Sequence, residues 1–230
     1  MNLPFVILKS AMSVDGFIDD ASPQRLLLSN QQDFDLVDEE RSLCDAILVG
    51  AGTIRADDPS LLVKSEARQR DRESKGLPRH PLKVTLTRSG NLPAKSKFLF
   101  AGESQKLIYC PEAQFHKLSS WSAEVPGAQV VALADLQLKT VLLDLFSCGV
   151  KRVLVEGGTQ IATALLTDDL VDELHVSIAP FFVGDASAPR FVNPGNFPRT
   201  ANRPMRLIKV EALDEVILIK YSLRNKGEEG

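Results

Sequence analysis

Short, unbroken apolar runs constrain this chain more than any other feature. Residues 5–8 (Phe-Val-Ile-Leu), 46–49 (Ala-Ile-Leu-Val) and 153–155 (Val-Leu-Val) contain no alternating polar position. A strand covered on both faces has this pattern, and such strands belong to parallel sheets flanked by helices. Helix-spaced apolar residues lie between and after the runs: Phe34 and Val37 with Arg41 at i, i+3, i+7; Leu138, Val141, Leu142 and Leu145, which Gly149 can terminate; and Ile161, Ala164 and Leu165. Alternation of this kind predicts an α/β fold with a mostly parallel sheet and helices on both faces. The C-terminal part departs from it. Residues 205–213 and 215–223 alternate polar and apolar and meet closely at Asp214, so they must pair as an antiparallel hairpin and the sheet is mixed. A length of 230 residues suits a single domain, 1–230, with a core over about 4–223 and a charged, disordered tail at 224–230.

Smaller signals fill in the order. Lys9 is expected at the end of the first strand, and Asp15-Gly16 as a turn. Ser29 and Gln32 suit a capping box for the first helix. Residues 64–80 are densely charged without apolar periodicity and read as a solvated loop, whereas 82–88 alternate and read as a strand with one polar face. Further strands are expected at 106–110, 129–133 and 174–178, the last with His175 and Ser177 facing away from Leu174, Val176 and Ile178; a helix starts at Pro111.

The balance of 27 basic against 30 acidic residues, a net charge of −3, argues against a nucleic-acid surface. The N-terminus lacks the basic segment and long apolar run of a signal peptide, and no stretch reaches the ~18 apolar residues of a membrane helix. A cytoplasmic protein without a membrane partner is expected. Cys44, Cys110 and Cys148 are odd in number, far apart and in or beside apolar segments, so they read as buried free thiols, with no metal site.

Besides Lys9 after the first strand, later strand exits carry candidate chemistry. In Arg152-Val-Leu-Val-Glu-Gly-Gly-Thr-Gln-Ile161 a strand leads through Glu156 into Gly157 and Gly158 and then into a helix, whose free N–H groups suit a phosphate. A tight turn with a solvated carboxylate reads equally well. Gly50-Ala-Gly-Thr53 follows the second run, but Arg55 stands where a G-x-G-x-x-G fingerprint needs its third glycine. Thr87, Arg88 and Ser89 place two hydroxyls beside a guanidinium, fit for a phosphate or for a surface turn. Arg41 on an inward helix stripe is either a buried stem reaching water or a ligand contact.

Taken together, Lys9-x-x-x-Ser13-x-Asp15-Gly16, then Gly50-x-Gly52-Thr53-x-x-x-Asp57-Asp58-Pro59-x-Leu61, then Glu156-Gly-Gly followed by Leu170-Val-Asp-Glu-Leu174 and Ala179-Pro180 resemble the pyrimidine reductase family of riboflavin biosynthesis. This family includes the reductase domain of bifunctional deaminase-reductases and has the three-layer dihydrofolate reductase-like fold. The resemblance covers about residues 4–223. It implies NADPH-dependent reduction of the ribosyl group of a ribosylamino-pyrimidine 5′-phosphate to ribityl, in a homodimer. Carried over position by position, it implies cofactor contacts at Met12 (main chain), Gly52, Thr53, Asp57, Gly157, Gly158, Thr159, Gln160 and Ile161. Substrate contacts are implied at Arg41, Leu61 and Lys64, and Lys9 and Glu156 at the reacting sugar. Lys64 stands where relatives have arginine or histidine, keeping charge without bidentate geometry. Thr87-Arg88 replaces an Asp-Ser pair and resembles the dihydrofolate reductase grip on the 2′-phosphate of NADPH, and Gln24 and Leu26 replace a serine and an aromatic residue. The H-x-E and P-C-x-x-C elements of a zinc deaminase do not occur, so a reductase module alone is expected. Reduction of another imine or pterin-like substrate, and nucleotide binding without turnover, are the competing expectations.

Overall fold

A computed structural model describes residues 2–22 and 24–224. The fold is α/β, with a nine-stranded mixed sheet that is mostly parallel and turns antiparallel at its C-terminal strands. The expected tail lies outside the described residues except at its first position, Arg224. The chain divides into two compact units, one formed mainly by residues 37–154 and the other by residues 5–36 and 155–224.

The 37–154 unit contains β2 (Ala46–Gly50), α2 (Ala51–Asp57), α3 (Glu66–Ser74), β3 (Leu82–Leu86), α4 (Lys97–Phe100), β4 (Lys106–Pro111), α5 (Glu112–Ser122), β5 (Ala128–Leu133), α6 (Leu138–Ser147) and most of β6 (Arg152–Val155). Its strand order is β5-β4-β3-β2-β6, with β2 to β5 pairing in parallel. Every residue of β2 is buried, as its unbroken apolar run predicts. Asp45 ties the starts of β2 and β6 together: its carboxylate accepts from the Lys151 and Arg152 amides (2.8 and 2.9 Å). Ile47, Val49, Ile54, Leu61, Phe98, Leu99, Ile108 and Leu118 pack in one core cluster. In α6 the expected stripe Leu138, Val141, Leu142 and Leu145 is buried, and Gly149 (φ +89°) follows its end.

Several expectations fail here for definite reasons. Residues 66–74 form α3, not a loop. Ser65 caps it by accepting from the Arg68 amide, and Glu66–Arg70 and Asp71–Lys75 pair at i, i+4 spacing. The residue it buries is Arg72, whose guanidinium donates to the carbonyls of Ser42, Cys44 and Pro78 (2.8 Å each). The polar side of β3 is buried too, because other elements, α4 among them, cover that face of the strand. Lys83 donates to the Phe98 and Ala101 carbonyls (3.2 and 2.6 Å) at the end of α4. Cys44 and Cys110 are buried, but Cys148, at the end of α6, is exposed.

The other unit contains β1 (Phe5–Ser13), the first half of α1 (Gln31–Ser42), α7 (Thr159–Thr167), β7 (Glu173–Ala179), β8 (Arg206–Leu213) and β9 (Val216–Ser222). Its strand order is β1-β7-β9-β8, with β1 and β7 parallel and the last two pairings antiparallel. The hairpin turns at Asp214 (φ +52°), and a register shift between Leu207 and Lys209 interrupts β8. Asn30, not Ser29, caps α1, its side-chain oxygen accepting from the Asp33 amide (2.9 Å). Phe34 is exposed, and the buried positions of α1 include three carboxylates, Asp33, Asp38 and Glu40. The inward stripe of α1 is therefore polar, and its polarity matters for the candidate site.

Candidate active site

Lys9 sits in the middle of β1 rather than at its end, beside His175 of β7. The apolar run stops at Lys9, but the pairing with β7 continues to Ser13. Its side chain is 4% exposed, and its ammonium donates to Asp33 Oδ1 (2.9 Å) and Ser177 Oγ (2.7 Å). The Ser177 hydroxyl in turn donates to the same Asp33 oxygen (2.6 Å). Sequence reasoning passed over Asp33. An acid in the first turn of a helix has a sufficient local reason to be there, and its partner lies 24 residues away. Ser177 was legible only as facing away from the apolar side of β7.

Further along β1, the Ser13-x-Asp15-Gly16 element builds a turn. Ser13 Oγ donates to Asp15 (2.5 Å) and accepts from the Phe17 amide (3.1 Å), while Gly16 takes φ +85°. That hydroxyl, with the amides of Val183 and Gly184, holds the Asp15 carboxyl down to about 2. These residues fold the loop after β7 onto the end of β1. Met12 pairs with Ile178 and is partly buried.

After β6, Glu156 is partly buried, and Gly157 and Gly158 take φ +105° and +90°, conformations that side-chain-bearing residues rarely adopt. Gly158 caps α7 without a side chain, so the first amides of that nine-residue helix receive no side-chain acceptor from their cap. Thr159 Oγ1 donates to the Arg190 carbonyl (2.5 Å), Gln160 is exposed and Ile161 is buried. Arg190 stacks its guanidinium over Phe17, 4.5 Å from the ring centre.

In the 37–154 unit, α1 organises the segment after α2. Asp38 accepts from the amides of Lys64 and Ser65 and from Arg68, and Arg41 Nη1 donates to the Leu62 carbonyl (3.1 Å). Leu61 is buried at φ +50°, a conformation held by these bonds and by its place in the core. The structure thus brings Arg41 together with the 61–64 segment, and Lys64 itself is exposed. On α2, Ala51 and Ile54 face the core, which leaves Gly52, Thr53 and Asp57 on the other side. Asp58 ends the helix in the left-handed region and accepts from the Lys97 amide (2.6 Å). After β3, Thr87 and Arg88 diverge: Thr87 is 2% exposed with no hydrogen-bond partner for its hydroxyl, and Arg88 is exposed. Among the described residues no group of histidine, cysteine and carboxylate side chains could hold a metal ion, and no helix is long and apolar enough to cross a membrane.

A family model described as the RibD C-terminal domain matches residues 4–219. A 2,5-diamino-6-ribosylamino-4(3H)-pyrimidinone 5′-phosphate reductase from Archaeoglobus fulgidus is 31% identical over 216 residues, covering 92% of this chain and 94% of the relative. An identically named protein from Methanothermobacter thermautotrophicus is 29% identical, with 96% and 99% covered. Among solved structures, Acinetobacter baumannii RibD superposes with a TM-score of 0.78 at 27% identity; the match covers 97% of this chain and 59% of that one.

Proposed function

The chain belongs to the RibD C-terminal domain family, and on that premise we propose that it is the NADPH-dependent reductase of 2,5-diamino-6-ribosylamino-4(3H)-pyrimidinone 5′-phosphate, converting the ribosyl group to ribityl. The observation that carries this reading is similarity to relatives of that name over nearly their whole length and nearly all of this chain.

The residues fit a phosphate-bearing dinucleotide. The α7 amides and the two positive-φ glycines offer a diphosphate close approach to the main chain. By the resemblance, Thr87 and Arg88 are proposed at a cofactor phosphate: Arg88 supplies exposed charge, whereas the Thr87 hydroxyl beside it is closed to solvent. Gly52, Thr53 and Asp57 on α2 and the main chain of Met12 complete the proposed cofactor contacts. When bound, the nicotinamide supplies the hydride.

The remaining work falls to this chain's own side chains. Arg41, fixed at the 61–64 segment, and exposed Lys64 grip the substrate phosphate, and Leu61 packs against the substrate. Glu156 accepts a hydrogen bond from the opened sugar, and Lys9 places an ammonium N–H toward it. Arg41 and Lys9 are each held by bonds within their own unit before substrate arrives, which lowers the entropic cost of ordering each side chain. We assign the protein as a homodimer through β8, which ends the strand order of its unit and exposes Leu207 (53%), Ile208 (43%) and Val210 (57%), with Ile217 (45%) beside it on β9.

The test is nicotinamide absorbance with the diamino substrate and its deaminated counterpart side by side, using NADPH and NADH. Consumption of NADPH with the diamino compound is expected. Turnover only with the deaminated compound would change the substrate assignment. Binding of NADPH without turnover of either would overturn the reading in favour of a different imine or of a nucleotide-binding protein.

A further inference from the structure

We propose that Asp33 and Ser177 are positioning residues for Lys9, which aim its one remaining N–H at the reacting sugar; this rests on the reductase reading above. An ammonium has three donors. Two are consumed inside the protein, by Asp33 Oδ1 and Ser177 Oγ, and the third has no partner among the described residues. The arrangement closes on itself. Ser177 accepts from Lys9 and passes its own hydrogen to Asp33, so each of the three groups touches the other two and none can rotate alone.

Asp33 cannot meet a substrate directly. It is 0% exposed, and its second oxygen, Oδ2, is closed to solvent and has no partner. Its influence must pass through Lys9. The Asn30 cap fixes the Asp33 backbone in the first turn of α1, where the helix dipole favours a carboxylate. Ser177 is held by the β1–β7 pairing, two residues beyond the position opposite Lys9. A rigid helix start and a paired strand thus hold one ammonium from two directions. Burying such a pair seldom adds stability over apolar residues of the same size. A requirement for an N–H donor at a fixed place explains its presence better. The other titratable group beside Lys9 on the strand, His175, is bonded to Glu173 (3.0 Å).

The test compares wild type with Ser177→Ala, Ser177→Thr and Asp33→Asn in two measurements. In steady-state turnover with NADPH and the diamino substrate, Ser177→Ala and Asp33→Asn are expected to lower kcat by about 10- to 100-fold, with KM for NADPH within about twofold of wild type. Ser177→Thr, which keeps the hydroxyl, is expected to restore kcat to within about threefold. In 15N-lysine NMR, a slowly exchanging ammonium signal absent from Lys9→Arg is expected in wild type and Ser177→Thr and lost in Ser177→Ala. Should Asp33→Asn fail to fold, the two serine variants decide. Wild-type kcat in Ser177→Ala, or no rescue by threonine, overturns the proposal. If the wild type turns over neither substrate, the reductase reading fails, and the ammonium signal alone then decides whether Asp33 and Ser177 hold Lys9.

Discussion

The three cysteines show how strongly individual environments differ within one chain. Burial pushes the Cys44 thiol up to about 12, and burial raises that of Cys110 as well, whereas Cys148 lies exposed at the end of α6. Only a thiolate attacks a disulfide reagent at an appreciable rate. The native protein should therefore release one equivalent of thiol promptly with a coloured disulfide, and three in denaturant; two prompt equivalents would contradict the burial of Cys44 or Cys110. The same contrast separates what was readable at single positions from what was not. A cysteine beside an apolar run reads as buried, which is right for Cys44 and Cys110 and wrong for Cys148, because the residue that ends a helix leaves the stripe its neighbours follow. Arg41 was readable as partly inward, but not that it would bond the Leu62 carbonyl. Asp33 was unreadable as a partner of Lys9, since nothing local distinguishes it from an ordinary helix-start acid.

Among the elements, β3 and α4 give a test with a definite sign. Burial, with the neighbouring positive charges of Lys106 and Arg41 adding, lowers the Lys83 ammonium from 10.5 to about 8. The unfolded chain then binds more protons than the folded one between those two values. Stability should rise with pH across that window, by up to about 1.4 kcal/mol per unit. Urea unfolding at pH 7.5, 8.5 and 9.5 should show this rise in wild type and its absence in Lys83→Met; parallel curves for the two proteins would refute it. Elements built on apolar runs were legible: β2 and β6 as strands buried on both sides, α6 from its four-residue stripe, and the β8–β9 hairpin from alternation around Asp214. The helix α3 was hidden because its buried residue is Arg72, whose bonds to three main-chain carbonyls replace the apolar contacts that periodicity detects. The polar side of β3 misled for a related reason: Lys83 and Thr85 are buried under elements packed on that face, with Lys83 bonded to the end of α4, which a local pattern cannot reveal.

For the molecule as a whole, the proposed dimer makes a prediction that does not depend on catalysis. Val210→Lys places a charge among the exposed apolar residues of β8 and should convert a dimer of about twice 25.2 kDa into a monomer by light scattering. A wild-type protein that is monomeric at tens of micromolar would refute the assignment. The matched relatives extend along nearly the full chain, in keeping with motifs that were themselves spread from Lys9 to Pro180. The interruption of β8 between Leu207 and Lys209 bears on how such an association ends. A regular, flat, apolar edge would accept one neighbour after another and grow into a fibril. A break in the pleat twists the strand locally and disturbs its ladder of donors and acceptors, so side-chain contact can join two copies while the main chain refuses to template an endless row. The irregularity in β8 would thus act as a terminator of assembly, allowing the edge to stay sticky without becoming a seed.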